Sequence, residues 1–252
     1  MKTKSENRRA LPKFFLTILL AGLFGGVLGF AAGFMNAGDL SDGVRQVLNT
    51  ALTVSAPWGI PVTNIVILGI GWSLYAKGKS LYRGWDGEDE DTIDDAEEQL
   101  SWALLMSAAA LLCDLFFFSV AVVYAGGPVV MIAFIVEFFV GVGVATVLQQ
   151  KVVDLTKKIN PEKRGSVYDM KFQKKWLDSC DESEQRQIGQ ACYKAYLTAT
   201  KACLWAWVAV MILHYAFDTG LLPAVLVLII FGVLQITYTL ESIRLSRKGE
   251  QL

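Results

Sequence analysis

The chain has 252 residues, of which 54% are hydrophobic and 19% are charged, and its mean hydropathy is +0.42. This composition is too apolar for an ordinary soluble domain of this length, and it excludes a disordered, collagen-like or nucleic-acid-binding arm. The 23 basic and 24 acidic side chains give a formal net charge of −1, and a single His and four Cys leave little material for a metal site.

The apolar residues are concentrated in runs of about 20, the length needed to cross roughly 30 Å of hydrocarbon. Each run is expected to be helical, because lipid offers backbone amides no hydrogen-bond partner. We therefore predict an all-α, polytopic membrane protein in which residues 1–252 form a single membrane domain. Its six transmembrane helices are predicted at 14–35, 58–76, 102–124, 128–148, 202–217 and 221–240.

The first span follows a basic N-terminal segment, so a secretory signal is the alternative to a retained helix. The run is longer than a typical signal core and lacks a convincing small-residue cleavage site at its end. Gly25, Gly29 and Gly33 also form a face of small residues that suits close packing against another helix. These features favour a retained helix.

The distribution of basic residues predicts the orientation of the spans. With the N-terminus inside, Arg45 is the one residue of the 23 Lys and Arg that falls in an outer segment. Trp and Tyr residues recur near the predicted span ends, where amphipathic rings concentrate. We predict a multi-pass protein of the cell membrane with cytoplasmic N- and C-termini.

Three helical hairpins are predicted, because the second, fourth and sixth spans begin at or near a proline: Pro61, Pro128 and Pro223. Short turns at 125–128 and 218–220 make the third and fourth spans, and the fifth and sixth spans, antiparallel neighbours.

Two segments beside the spans are also expected to be helical. Residues 39–55 have apolar side chains at helical spacing, which predicts a short amphipathic helix on the outer leaflet. Residues 86–98 contain nine acids in 13 positions and continue into the third span without a helix breaker. This segment is interpreted as a solvated helix extension, with a cation-binding or partner-docking surface as the alternative.

The predicted cytoplasmic loop 149–201 is too short for a domain with a substantial core of its own. Within it, 168–180 is predicted to be an interfacial helix that lies against anionic lipid. Its anchor residues combine aromatic and basic side chains: Phe172, Lys174, Lys175 and Trp176. Asp181 and the acids after it then predict the capped start of a helix that runs through the fifth span.

Several stretches of the chain resemble an uncharacterised bacterial family of six-helix membrane proteins, classed only as a domain of unknown function. They are 163–165 (Lys-Arg-Gly), 172–177 (Phe-Gln-Lys-Lys-Trp-Leu), 180–182 (Cys-Asp-Glu) and 240–243 (Leu-Glu-Ser-Ile). The resemblance covers most of the chain and is clearest over 160–245. It implies an integral protein of the cell membrane and supplies no catalytic or ligand-binding residues.

Two acids lie within predicted spans, Asp114 in the third and Glu137 in the fourth. Ionisable groups in hydrocarbon are costly and often mark ion or proton pathways. Counted from the turn between the spans, Asp114 lies about 19 Å and Glu137 about 16 Å along its helix, so the two carboxyls can meet near the midplane. Such a pair favours sharing a proton or binding a cation. The alternative is structural: each carboxyl is protonated or hydrogen-bonded and fastens the helices together.

His214 precedes Asp218 by one helical turn, which makes them a candidate proton-responsive pair at the outer interface. A simple interfacial hydrogen bond is the alternative, because a lone His gives little specificity. The four Cys residues are expected to be reduced thiols in or beside spans or facing the cytosol.

No Walker loop, dinucleotide-binding glycine fingerprint, nucleophile elbow or CxxC motif occurs in the chain, so we expect no enzyme and no cofactor. The leading hypothesis is an accessory, sensory or assembly partner that docks a membrane or cytoplasmic protein through the loop 149–201. The alternative is a small transporter or permease subunit with a proton or cation site at Asp114 and Glu137. The basic residues of the loop are assigned to anionic lipid rather than to nucleic acid.

Overall fold

The computed structural model describes residues 37–124 and 127–249, together with Pro12, Phe15, Leu16, Leu19 and Leu23. Throughout these described residues the regular secondary structure is helical, and no strand occurs among them. The first predicted span, 14–35, with its glycine face, lies almost entirely outside the described residues.

The helices, in chain order, are α1 (Ala37–Thr63), α2 (Gly69–Gly84), α3 (Glu90–Tyr124), α4 (Pro128–Ile159), α5 (Phe172–Asp178), α6 (Glu182–Phe217) and α7 (Leu222–Gly249). Five stretches of the described chain are long and apolar enough to cross a membrane: Asp42–Gly84, Glu90–Tyr124, Pro128–Ile159, Glu182–His214 and Leu222–Ser246. They correspond to the predicted spans from the second to the sixth. The all-α character of the prediction is confirmed for the described residues.

The long helices expose many large apolar side chains. Leu112, Val123 and Val129 are each more than two-thirds exposed, on α3 and α4. Soluble monomers rarely expose contiguous apolar patches of this kind, whereas lipid is the surrounding that such surfaces fit.

The second span is part of a longer helix than predicted. A π-helical turn, Asn64–Leu68, joins α1 to α2 without a break, so Pro57 and Pro61 lie inside a helix. The interpretation of Pro61 as marking a helix start at or near this span's beginning was therefore wrong. Residues 39–55 belong to the same continuous helix rather than to a separate one. Proline inside a helix is more frequent in membrane spans than in soluble helices.

The prolines of two other spans lie where predicted. Pro128 is in the first turn of α4 and Pro223 is in the first turn of α7, where a missing amide donor leaves no hydrogen bond unmade. The acidic segment is helical from Glu90, where α3 begins and continues directly into the third span, whereas 86–89 lies before the helix. Asp86 lies just before it and accepts hydrogen bonds from the backbone N–H groups of Glu88 and Asp89.

The chain forms two compact units. One comprises Val47–Ile188, and the other combines the described part of Met1–Gln46 with Gly189–Leu252. A single membrane domain covering 1–252 stays a prediction.

In Val47–Ile188, α2, α3 and α4 pack around one apolar core. Its members are buried small and aliphatic residues: Leu68, Leu100, Ala103, Ala110, Ala145, Leu148, Val152 and Leu155. Three contacts join α3 to α4 in antiparallel register: Ser107 with Gln149, Asp114 with Gly141, and Phe118 with Phe138. The predicted antiparallel packing of the third and fourth spans is therefore observed.

In the other unit, α6 is followed by α7 after a short turn in which Asp218 and Gly220 have φ angles of 49° and 73°. The Tyr196 hydroxyl on α6 donates a hydrogen bond to Gln235 on α7 at 2.9 Å. The Tyr196 ring also stacks on Tyr238, with 4.5 Å between the ring centroids. These contacts join α6 to α7.

Small residues set how closely α2 approaches its neighbours. A Cβ added at Gly71 would lie 2.9 Å from Leu148 Cδ2 and 3.3 Å from Met106 Cβ, whereas one added at Gly69 would have no neighbour within 4 Å. We expect Gly71→Val to lower the free energy of unfolding by about 1–3 kcal/mol through overpacking. Gly69→Val is the matched control.

The measurement is the thermal unfolding midpoint of each purified variant in detergent. The midpoint of Gly71→Val should fall well below those of the wild type and Gly69→Val. Equal midpoints for the two variants would show that the helices do not pack through Gly71.

Candidate functional site

Asp114 is completely buried on α3, with an exposed fraction of 0%. Its Oδ1 accepts a hydrogen bond from the side-chain amide of Asn64 at 3.2 Å. Its Oδ2 has no hydrogen-bond partner among the described residues. A buried acceptor without a hydrogen-bond partner costs about 1–3 kcal/mol. The Asp114 Oδ2 atom is therefore a stronger indication of a functional position than a hydrogen-bonded oxygen would be.

Asn64 is the first residue of the π-helical turn between α1 and α2. Its amide nitrogen donates to the Ile60 carbonyl at 3.0 Å as well as to Asp114, while its Oδ1 is buried and has no partner among the described residues. The π-helical turn thus places a polar side chain against an intramembrane acid. Such turns are frequent at functional sites.

Glu137 lies on α4 and lines a cavity of about 340 Å³ with Asn64 and Gly141. The rest of the wall is aliphatic or proline: Ile60, Pro61, Ile65, Leu68, Val140 and Val144. The Glu137 Oε2 atom is buried and, like Asp114 Oδ2, has no hydrogen-bond partner in the described part of the chain. A carboxyl and an amide therefore share one mostly apolar cavity.

Gly141 permits the close approach of α4 to this site. A Cβ at this position would lie 2.6 Å from both Asn64 Nδ2 and Asp114 Oδ2, and 3.0 Å from Asn64 Oδ1. The Asp114 and Asn64 oxygens without partners thus both lie beside the same glycine. We call Asn64, Asp114 and Glu137 the membrane polar cluster.

The structure refines the predicted pairing of Asp114 with Glu137. Asp114 contacts α4 at Gly141, which is one helical turn, about 6 Å, from Glu137. No hydrogen bond or salt bridge joins the two acids among the described residues. Asn64, which the sequence analysis did not identify, instead contacts one acid and shares the cavity with the other. A proton shared directly between the two carboxyls stays a prediction.

No group of three or more His, Cys, Asp or Glu side chains in the described residues is arranged to hold a metal ion. No salt bridge reaches Asp114 or Glu137 within the same described ranges, so no basic side chain there neutralises the cluster.

The predicted outer-interface pair, His214 and Asp218, is arranged differently from the expectation. Helix α6 ends at Phe217, and Asp218 adopts a left-handed conformation with φ 49°. Its backbone N–H donates to the His214 carbonyl at 2.7 Å. Asp218 therefore lies just beyond the last residue of α6, and its backbone N–H closes the helix end. A proton-responsive side-chain pair stays a prediction.

The predicted interfacial helix 168–180 is shorter in the structure, where α5 covers Phe172–Asp178. The rings of Phe172 and Trp176 lie 5.6 Å apart, are half-buried, and line a cavity with Leu104 and Val152 of α3 and α4. The aromatic part of the predicted lipid anchor thus packs against the protein's own helices.

The basic part of the anchor behaves differently. Lys174 is exposed, whereas Lys175 forms a salt bridge with Asp169. The hydrogen bond from Lys175, with a further one from the backbone N–H of Lys171, holds the pKa of the Asp169 carboxyl below its ordinary value of 3.8. This ion pair orders the turn before α5. Binding of the exposed basic residues to anionic lipid stays a prediction.

A buried lysine organises the start of α6. The Lys163 side chain is 3% exposed, forms a salt bridge with Glu184, and lies 3.7 Å from Cys180 Sγ. Glu184 also completes a capping box: its Oε2 accepts from the Asp181 N–H at 2.9 Å, and Asp181 Oδ1 accepts from the Glu184 N–H at 2.8 Å. The predicted N-cap at Asp181 and the continuous helix through the fifth span are confirmed.

The environment of Lys163 keeps it charged. Burial is the largest influence and lowers the pKa of the Lys163 ammonium, but the hydrogen bond and charge of Glu184, with a contribution from Cys180, raise it above its ordinary value of 10.5. The ion pair therefore contributes its full stability below that value. The contribution is lost as the pH rises through the pKa of the folded state.

Comparison with known proteins identifies the family. A family model described as "Protein of unknown function (DUF3169)" matches residues 8–243. The chain belongs to the DUF3169 family. No curated protein and no solved structure matches it. The resemblance to a domain of unknown function is thus confirmed, and the membrane character that it implied fits the five long apolar helices of this DUF3169 protein.

The sequence analysis did not identify two residues that form polar sites in this DUF3169 protein. Asn64 is a polar residue in an apolar run and follows Pro61 by three residues. This proximity to a proline could have indicated an irregular helix at Asn64. Lys163 belongs to the resembling stretch 163–165, but nothing in its sequence surroundings distinguishes a buried lysine from an exposed one.

We expect Lys163→Met to lower the free energy of unfolding by about 1–2 kcal/mol. This loss is smaller than that for breaking a fully buried ion pair, because Glu184 is partly solvated. The matched control is Lys174→Met, which removes an exposed lysine of the same segment. Thermal unfolding in detergent at neutral pH measures both. The difference between Lys163→Met and the wild type should shrink above about pH 10.5, where the ammonium loses its proton. A loss that is equal for the two variants would rule out a specific role for the buried pair.

Proposed function

We propose that this DUF3169 protein is a small transporter or permease subunit that binds and moves a proton or a monovalent cation at the membrane polar cluster. In this proposal it is a multi-pass protein of the cell membrane and has no enzymatic activity. The observation that carries the proposal is the Asp114 carboxyl, fully buried with Oδ2 lacking a partner among the described residues.

The energetics of burial support a bound positive charge. An ionised carboxylate in an apolar surrounding costs several kcal/mol, so it is either protonated or bound to a cation. Asn64 donates one hydrogen bond to Asp114, which leaves the negative charge largely uncompensated. Binding and release of a proton or cation is the chemistry that such a group performs in membrane proteins.

The helix that carries Asn64 supports movement as well as binding. Pro57 and Pro61 lack amide donors, and the π-helical turn follows directly. A helix interrupted in this way has fewer regular backbone hydrogen bonds to break when it bends. A small shift at Asn64 would change the coordination of Asp114 directly, because the two side chains are hydrogen-bonded.

The orientation belongs to the same proposal. The distribution of Lys and Arg favours cytoplasmic N- and C-termini. This orientation includes the predicted first span, 14–35, as one of six transmembrane helices. The capping box and the Lys163 ion pair then lie on the cytoplasmic side.

The test is a flux assay in proteoliposomes. With an imposed pH or cation gradient, wild type should show proton or cation flux above that of empty liposomes. Asp114→Asn combined with Glu137→Gln should reduce this flux to background, because neither neutral side chain can exchange a positive charge. Asp154→Asn is the control, since Asp154 is an exposed acid on the same helix as Glu137 and outside the cavity. Wild-type flux equal to that of empty liposomes would refute transport.

The second candidate function is an accessory, sensory or assembly partner that docks through the cytoplasmic loop 149–201. The observation in its favour is the exposure of two large side chains between α4 and α5: Tyr168 is 65% exposed and Met170 is fully exposed. The adjacent cleft of about 800 Å³ has charged residues of both signs, including Arg164, Asp178 and Glu162. A protein partner or an anionic membrane surface would fit this face.

Substitution tests this role better than deletion of 168–180, because that segment contains half-buried Trp176 and buried Cys180. We expect Tyr168→Ser with Met170→Ser to abolish co-purification of a crosslinked partner while the unfolding midpoint is retained. Leu245→Ser, which changes an exposed apolar residue of α7, is the control. Partner proteins recovered equally with both variants would refute docking at this face.

A further inference from the structure

We infer that the membrane polar cluster binds a dehydrated alkali-metal cation in competition with protons, with Asn64 as a neutral ligand. This inference rests on the proposed function and names the ligand class of the same site. It follows from the number of free oxygens, their convergence, the charge of the cluster and the walls of the cavity.

The number of free oxygens favours a cation over a proton. Asn64 Oδ1, Asp114 Oδ2 and Glu137 Oε2 are all buried and lack hydrogen-bond partners among the described residues. A proton joins one donor atom to one acceptor atom, so a single proton leaves at least one of these oxygens unsatisfied. An alkali-metal cation is held by several oxygens at once.

Gly141 shows that two of these oxygens converge. The position of a Cβ on Gly141 is 2.6 Å from Asp114 Oδ2 and 3.0 Å from Asn64 Oδ1. The Asn64 amide nitrogen, which donates to Ile60 and Asp114, is also 2.6 Å from this position. Asp114 and Asn64 therefore both present an oxygen to the small space that the absent side chain leaves. Glu137 is one turn away on the same helix and lines the cavity that includes Gly141.

The charge of the cluster calls for positive ions, and their coordination and hydration favour a monovalent cation over a divalent one. Two carboxyls without a basic partner become neutral when they hold two protons, one monovalent cation and one proton, or one divalent cation, so the choice among these is made by coordination and hydration. A calcium ion takes six to eight oxygens, which is more than the three side chains of the cluster offer, and a magnesium ion keeps several of its waters. The mostly aliphatic wall of the cavity offers such waters few hydrogen bonds.

Competition with protons follows from the residues around Asp114. Among the described residues that line the cavity, Glu137 is the one titratable group, and the neighbouring π-helical turn contributes a neutral amide. A proton on either carboxyl removes part of the negative charge that attracts the cation. Affinity for the cation should therefore fall as the pH decreases.

The experiment measures equilibrium binding of ²²Na⁺ to the full-length protein in detergent, with unlabelled Na⁺ and K⁺ as competitors. We expect saturable binding whose affinity falls with decreasing pH, by up to about tenfold per pH unit when one proton competes with one cation. Asn64→Leu should weaken binding by about tenfold or more, because it removes a ligand in a dry site.

A glycine pair on α4 provides the matched variants. Gly141→Ala places a methyl group against Asp114 and Asn64, whereas Gly143→Ala meets no atom within 4 Å. We expect Gly141→Ala to weaken ²²Na⁺ binding by about tenfold, and Gly143→Ala to change it by less than about twofold. Both variants must elute as single symmetrical peaks in gel filtration to be compared.

The outcomes separate this inference from the proposed function. Absence of saturable ²²Na⁺ binding by the monodisperse wild type, or equal affinities of Gly141→Ala and Gly143→Ala, would overturn the inference. If proton flux still depends on Asp114 in that case, transport stands with a proton as the substrate. If ²²Na⁺ binds as expected but proteoliposomes show no flux of protons or Na⁺, the cation site stands and transport is refuted.

Discussion

The close packing of α3 against α4 is the constraint on which the candidate site depends. At Gly141 the surface of α4 carries no side chain, so Asp114 and Asn64 approach it within the space of one methyl group. Apolar burial drives association weakly inside lipid, and close contact between small residues replaces it. The same closeness excludes water from Asp114, which makes its uncompensated charge costly.

The irregular helix Asp42–Gly84 places the Asn64 side chain against Asp114. Its π-helical turn widens the backbone at Asn64, and the Asn64 amide returns one hydrogen bond to the Ile60 carbonyl. The remaining hydrogen-bonding capacity of Asn64 is directed at Asp114. Helix irregularity and the polar cluster therefore coincide, because the π-helical turn begins at the residue whose side chain contacts Asp114.

The sequence predicted those features that a single physical requirement determines. It was less informative about features that depend on contacts between distant parts of the chain. Lipid requires long apolar helices, so spans such as 102–124 and 128–148 were predictable, as were the acids Asp114 and Glu137 within them. Pro61 was misinterpreted because proline suits both a helix start and an accommodated kink. The role of Asn64 depends on which residue of a distant helix faces it, and that is not encoded locally.

Two buried charges of this protein have opposite consequences. Lys163 is buried beside Glu184, its charge is matched, and the pair joins the segment between α4 and α5 to a capped helix start. Asp114 is buried with a neutral amide as its partner, and no salt bridge to it occurs in the described residues. Because Glu184 already neutralises Lys163, this pair gains little from binding another ion, and its role is to stabilise the structure. An unmatched carboxyl gains most from an arriving proton or cation, and for this reason the functional proposal is based on Asp114 rather than on Lys163.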